Sequence, residues 1–118
     1  MSHVKIAGVG LAHADTTIDY PRPDRLLQGN PKRSSQQLYV HPNMDCGIWH
    51  CEVGAWHIEF AANKQEFFQV ISGVVRLHDQ HGHVVQINAG EAGIIPPNFK
   101  GTFEVLEMVS KYYVNVTV

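Results

Sequence analysis

This sequence is short of charge, of cysteine and of long apolar runs. Nine Lys and Arg stand against eleven Asp and Glu, a formal net charge of −2. Nothing in it is basic enough to neutralise a run of phosphates, so nucleic acid is a poor partner class. No stretch reaches the ~18 apolar residues of a membrane-spanning helix. The two cysteines, Cys46 and Cys51, are too few for a disulfide scaffold. Five apart on an extended segment, they point to opposite faces of the pleat, so no bridge between them is expected. Free, buried thiols in a reducing cytoplasm are the expectation that follows. Also missing are any three-turn amphipathic helix and any internal repeat. The start imitates a secretory leader, with Lys5, the apolar run Ile6 to Ala12 and Ala12-His13-Ala14. That run is at the lower length limit of a leader core and carries Gly8 and Gly10. Val4 to Leu11 is therefore expected as an N-terminal strand.

What is present is β-sheet. The chain has 118 residues, 44% of them hydrophobic and 17% charged, enough to bury a core as one domain. Residues 1–45 read as an N-terminal strand and arm covering a barrel formed by residues 46–118. From Asp15 to Ser35, Pro21, Pro23, Asp24, Gly29, Asn30 and Pro31 predict a surface arm with turns. Arg22, Arg25, Lys32 and Arg33 make that arm locally positive; it reads as a solvated loop, with an anion-binding loop as the alternative. Strands are expected at Gln36 to Val40, Ile48 to Val53, Trp56 to Phe60, Glu66 to Ser72, Val74 to Leu77, Val84 to Ile87, Ile94 to Pro96, Phe103 to Leu106 and Val109 to Val118. Asp79-Gln80-His81-Gly82 has the chemistry of a hairpin tip.

In Trp56 to Phe60 the large apolar residues alternate with His57 and Glu59, so His57 and Glu59 face outward, to solvent or a partner. Glu66 to Ser72 is apolar on both faces, which calls for a cover over Phe67 and Ile71. The arm and a second subunit are the two possible covers, and a homodimer is the preferred one.

The order Glu66, six residues, Gly73, then Gly90, five residues, Pro96 resembles the two signature motifs of the cupin superfamily. The resemblance spans residues 46–118 and implies an all-β double-stranded β-helix, the jelly-roll barrel. Gly47-Ile48-Trp49-His50-Cys51 and the closing segment Glu104 to Tyr113 are similar to small single-domain cupins related to the (S)-ureidoglycine aminohydrolase cupin domain. Metal-binding cupins hold their ion with His-x-His a few residues before the glutamate and a third histidine five residues after the proline. Phe60 and Ala62, or Glu59 and Ala61, stand at the first two positions here, and Gly101 at the third. Only Glu66 remains, and one carboxylate cannot hold a catalytic divalent ion. No metal ligand set is assigned. His78, His81 and His83 cluster about the hairpin tip and read as an exposed turn.

The same resemblance turns Glu66, Phe68 and Val70 into the barrel mouth. A carboxylate there is desolvated unless a cation or donors compensate, which suits general acid or base work. Lys111 and Tyr113 share one face of the last strand; turned inward, they would supply the cation and a donor. The catalytic set expected is Glu66, Lys111 and Tyr113. Trp49, Trp56, Phe60, Phe68 and Phe103 are expected to line an aromatic pocket, although the two tryptophans read more as core than as stacking platforms. The function implied is binding of a small nitrogenous or carbonyl metabolite, with acid/base chemistry through Glu66. A metal-dependent ureidoglycine aminohydrolase-like hydrolase and a non-enzymatic dimeric module are the alternatives.

Overall fold

The computed structural model describes Ile6, Gly8 and residues 15–118. Apart from Ile6 and Gly8, the strand expected at 4–11 lies outside the described residues. The described residues form nine strands and no helix: β1 (Thr17–Asp19), β2 (Leu26–Gln28), β3 (Arg33–His41), β4 (Met44–Cys51), β5 (Gly54–Glu59), β6 (Lys64–Asp79), β7 (Val84–Asn88), β8 (Ala92–Ile95) and β9 (Lys100–Thr117). All pairings are antiparallel.

Two long strands organise the barrel. β6 and β9 lie side by side along nearly their whole lengths, from Lys64 opposite Thr117 to Asp79 opposite Gly101. Their far edges are shared out. The C-terminal half of β9 takes β4, and beyond it β3 and β1; its N-terminal half takes β5, and beyond it β2. β8 pairs with the first half of β6 and β7 with the second. Each long strand therefore belongs to both halves of a curled sheet whose inner faces enclose the core, which is the expected jelly-roll barrel. Phe68, Val70, Val75, Val105 and Val109 are almost wholly buried there.

Two boundaries differ from the sequence expectation for one reason. Glu66 to Ser72 and Val74 to Leu77 are a single strand, and so are Phe103 to Leu106 and Val109 to Val118. Gly73 marks a bulge within β6 rather than a turn. The β6–β9 register shifts between Val70 and Val75, and Gly73 has φ of 88°, a conformation open to glycine and strained for other residues. A Cβ at Gly73 would also collide with the Met108 carbonyl. The shift exchanges the inward phase from Glu66, Phe68 and Val70 to Val75 and Leu77.

The arm is not merely a turn-rich loop. It contributes β1 to the edge of β3 and β2 to the edge of β5, while Arg33 begins β3. It borders the barrel there and leaves Phe67 and Ile71 exposed, at 47% and 42%. At the hairpin tip the Asp79 carboxylate accepts from the backbone N–H groups of His81 and His83, and these bonds hold its pKa below the usual carboxylate range. His78 leaves the tip cluster and bonds Glu104 at 2.8 Å.

Gly73→Ala is expected to destabilise the chain by about 1–3 kcal/mol, the cost of a strained backbone conformation. Phe68→Ala, which empties a wholly buried site, should cost about 3–5 kcal/mol. Urea unfolding followed by circular dichroism measures both.

Candidate functional site

The two segments that carry the sequence resemblance turn out to be hydrogen-bonded neighbours. β4 and β9 pair Gly47 with Tyr113, Trp49 with Lys111 and Cys51 with Val109. All six alternate residues share the inner face, because side chains two apart on a strand point the same way. Gly47 is required by its partner: a Cβ there would lie 2.9 Å from the Tyr113 hydroxyl and would strike the Gln36 carbonyl. On the other flank of β9, Glu66 pairs with Asn115 and Phe68 with Tyr113.

This register brings Lys111 to Glu66. The ammonium donates to Glu66 Oε2 at 2.7 Å, with the lysine side chain 5% and the glutamate side chain 13% exposed. Three rings surround the same nitrogen, at 4.5 Å from the Trp49 centroid, 4.4 Å from Phe68 and 4.9 Å from Phe103. Ring faces carry negative potential, so they and the carboxylate together replace the water this cation has lost. The rings also hold one another: Trp56 stacks on Phe103 at 5.3 Å, and Trp49 meets Phe103 edge-on at 5.7 Å.

The pair and the rings border a cavity of about 300 Å³. Of the residues expected in the site, Glu66, Lys111, Tyr113, Trp49, Trp56, Phe60 and Phe103 line it. Phe68, also expected there, is not among the lining residues. It is 0% exposed and sits beneath the Lys111 ammonium as part of that cation's cage.

The sequence reasoning missed Arg33, Ser35, Ile58, Ile95 and Asn115, which complete the lining. Ser35 was findable once β3 was paired, since it lies opposite Trp49. Arg33 was hidden in the arm. Its guanidinium makes a two-point bond to Asp19 and lies over Trp56, 5.1 Å from the ring centroid.

Burial pushes the Tyr113 phenol above its ordinary pKa, and the nearby Asp45, Cys46 and Glu66 push the same way. It is therefore a hydrogen-bond donor across the neutral range. Burial also drives the Cys51 thiol up to about 12, and raises Cys46 with help from Asp45. Both are free and buried, on opposite faces of β4, and neither is a nucleophile at neutral pH.

A divalent ion is not suited to this cavity. Its lining offers one carboxylate, already bonded to an ammonium, and no imidazole. Among the described residues no three His, Cys, Asp or Glu side chains come together as a metal site. His57 and Glu59 face outward and bond each other at 3.1 Å, with Arg25 4.0 Å from the same carboxylate. Among the described residues, no helix is long and apolar enough to cross a membrane.

Comparison with protein families matches residues 42–113 to the EutQ-like cupin domain. No curated protein matches the chain. Among solved structures, a protein of unknown function from Pseudomonas syringae pv. tomato superposes with a TM-score of 0.76 at 19% identity, covering 90% of this chain and 45% of that one. The Clostridium difficile EutQ protein gives 0.65 at 22% identity, covering 75% and 64%. A putative ethanolamine utilization protein EutQ from Salmonella typhimurium gives 0.66 at 14%, covering 90% and 98%. This chain thus spans less than half the length of the Pseudomonas protein and under two thirds of the Clostridium one. Identities this low establish the shared barrel.

Because burial keeps both thiols protonated, the native protein at pH 8 should react with iodoacetamide at least about tenfold more slowly than the urea-unfolded chain. Mass spectrometry of timed samples reads the two rates, and equal rates would contradict the burial of Cys46 and Cys51.

Proposed function

This chain belongs to the EutQ-like cupin domain family, and from that premise we propose that it binds a small organic molecule in the barrel cavity. Glu66 and Lys111 there hold or move a proton at a carbonyl or nitrogen group of that molecule. The observation that carries this reading is the 2.7 Å ion pair on the wall of an aromatic cavity. Buried ion pairs are weak stabilisers, since apolar replacements of similar volume are often as good or better. A chemical use explains the position of this one on a cavity wall better than stability does. The cavity's volume of about 300 Å³ is at the lower end for ligand sites and fits a small metabolite.

The roles follow from the donors present. Lys111 bonds Oε2 of Glu66 and offers its other N–H groups to a ligand oxygen, where an ammonium stabilises developing negative charge. Tyr113 is a second donor. Oε1 of Glu66 is the acceptor for a ligand N–H or an acidic C–H. The aromatic wall supplies contact area and keeps water from the pair, which strengthens each of these interactions.

A ureidoglycine aminohydrolase-like activity is the finer alternative suggested by the sequence resemblance. The single carboxylate of the cavity supports its metal-dependent form poorly, and ammonia release from ureidoglycine, with and without added divalent metal, tests it directly.

A second reading rests on a separate observation. Across the outer face, Ile94, Phe67, Val114, Cys46 and Tyr39 are successive cross-strand neighbours over five strands. Ile94 is 62%, Phe67 47% and Tyr39 38% exposed. We infer that a second copy covers this apolar row. Sedimentation velocity should find a dimer for the unaltered chain and a monomer for Phe67→Glu; a monomeric unaltered chain removes this reading.

For the cavity, the test is a thermal-shift screen of small carbonyl, amide and ureido compounds, followed by titration of any hit. Glu66→Gln should weaken binding about 10–100-fold, as losing a hydrogen bond to a charged group does. Lys111→Met alone strands a buried carboxylate and should cost about 3–5 kcal/mol of stability. The double variant Glu66→Gln with Lys111→Met should recover part of that loss. Unchanged affinity in Glu66→Gln would take the pair out of the site.

A further inference from the structure

A second cavity, of about 230 Å³, adjoins the first. The two share Arg33, Trp56, Ile58 and Phe60 in their linings, and the second adds Arg22, Arg25, His57 and Glu59. Three of the four cations that made the arm locally positive thus gather at one place, because β2 pairs with β5 and the arm's turn folds over that edge. Across both cavities the lining carries four cations, Arg22, Arg25, Arg33 and Lys111, and two carboxylates, Glu59 and Glu66.

The cations are not equally engaged. Arg22 makes a two-point bond to Asp24. Arg33 makes one to Asp19 and adds a bond to the Tyr20 carbonyl. Arg25 has only Glu59, 4.0 Å away, and the same Glu59 oxygen already bonds His57 Nε2 at 3.1 Å. The Arg25 side chain is 32% exposed, and Arg25 is the one arginine of this cavity, among the described residues, without a carboxylate at hydrogen-bonding distance. Its planar fork matches the two oxygens of a carboxylate or phosphoryl group.

We propose that the two cavities form one site for an organic anion. The carboxylate or phosphate head is taken by Arg25 beside Arg33, and the flat or aliphatic body enters the barrel between the rings. This rests on the barrel cavity being a ligand site and adds the charge class of the ligand. The Arg25 backbone N–H and carbonyl make the structural bonds, to Arg22 and His57, so the side chain, held only by the 4.0 Å approach to Glu59, can turn to a ligand and be replaced without breaking them.

Four probes test this on the full chain by calorimetric titration: benzoate, phenyl phosphate, inorganic phosphate and neutral benzamide. The two tryptophan indole N–H signals, followed by NMR, report on position, because Trp49 lines the barrel cavity and Trp56 lines both. Benzoate or phenyl phosphate should bind at least tenfold more tightly than benzamide and shift both indole signals. The tighter of the two identifies a carboxylate or a phosphoryl head. Arg25→Gln should remove that advantage and leave benzamide affinity unchanged, and Arg25→Lys should restore it in part. If benzamide binds as tightly as benzoate and phenyl phosphate, or if Arg25→Gln binds them normally, the anion site is overturned while the barrel ligand site stands. If inorganic phosphate binds as tightly as phenyl phosphate and shifts neither indole signal, the single joined site is overturned. If none of the four binds, the proposal and the barrel reading fall together.

Discussion

The pairing of β6 with β9 is the constraint on which everything else hangs. Sixteen residues of one strand and eighteen of the other run antiparallel, and every remaining strand except β1, β2 and β3 pairs directly with one of them. Because the side-chain period along a strand is two, a slip of one residue would turn the Lys111 ammonium to the outer face and bring Tyr112 inward. A slip is opposed from both flanks. Trp49 and Cys51 on β4, and Trp56 on β5, must meet their inward partners Lys111, Val109 and Phe103.

That register also explains why a lysine can be buried in so small a domain. The ammonium loses its water to one carboxylate and three ring faces, delivered by three strands. Glu66 and Phe68 come from β6, Trp49 from β4, and Phe103 from the far half of β9 itself. Removing any one of them leaves the others around a charge they only partly compensate. The cavity and the cation are thus one arrangement: Trp49 and Phe103 both line the space and make the charge tolerable.

The barrel was legible because its signals are local. Glycine spacing, period-two alternation and the hairpin chemistry of Asp79 to Gly82 each read out within a few residues. Gly47-x-Trp49-x-Cys51 and Lys111-x-Tyr113 were legible as motifs, and the structure supplies their physical sense. They are two sides of one ladder, in which the glycine makes room for the phenol. What stayed hidden depends on distant partners. β1 and β2 are three residues each and exist only because β3 and β5 offer edges, so a Pro-rich and charged segment reads as loop until those edges are known. Arg33 was assigned to that segment for the same reason. Phe68 has the right phase to face a ligand but the wrong depth, and depth along a shared face is set by how the opposite wall closes, not by alternation.

The two cysteines have a consequence for how such a barrel is held together. Cys51 is sealed in the inner core and Cys46 is buried in the outer row, so the two thiols lie on opposite faces of the sheet. The fold gains nothing from a disulfide and exposes no thiol that needs a reductant. The barrel therefore holds together without a covalent cross-link, and closing one between Cys46 and Cys51 would require β4 to leave its ladder with β9.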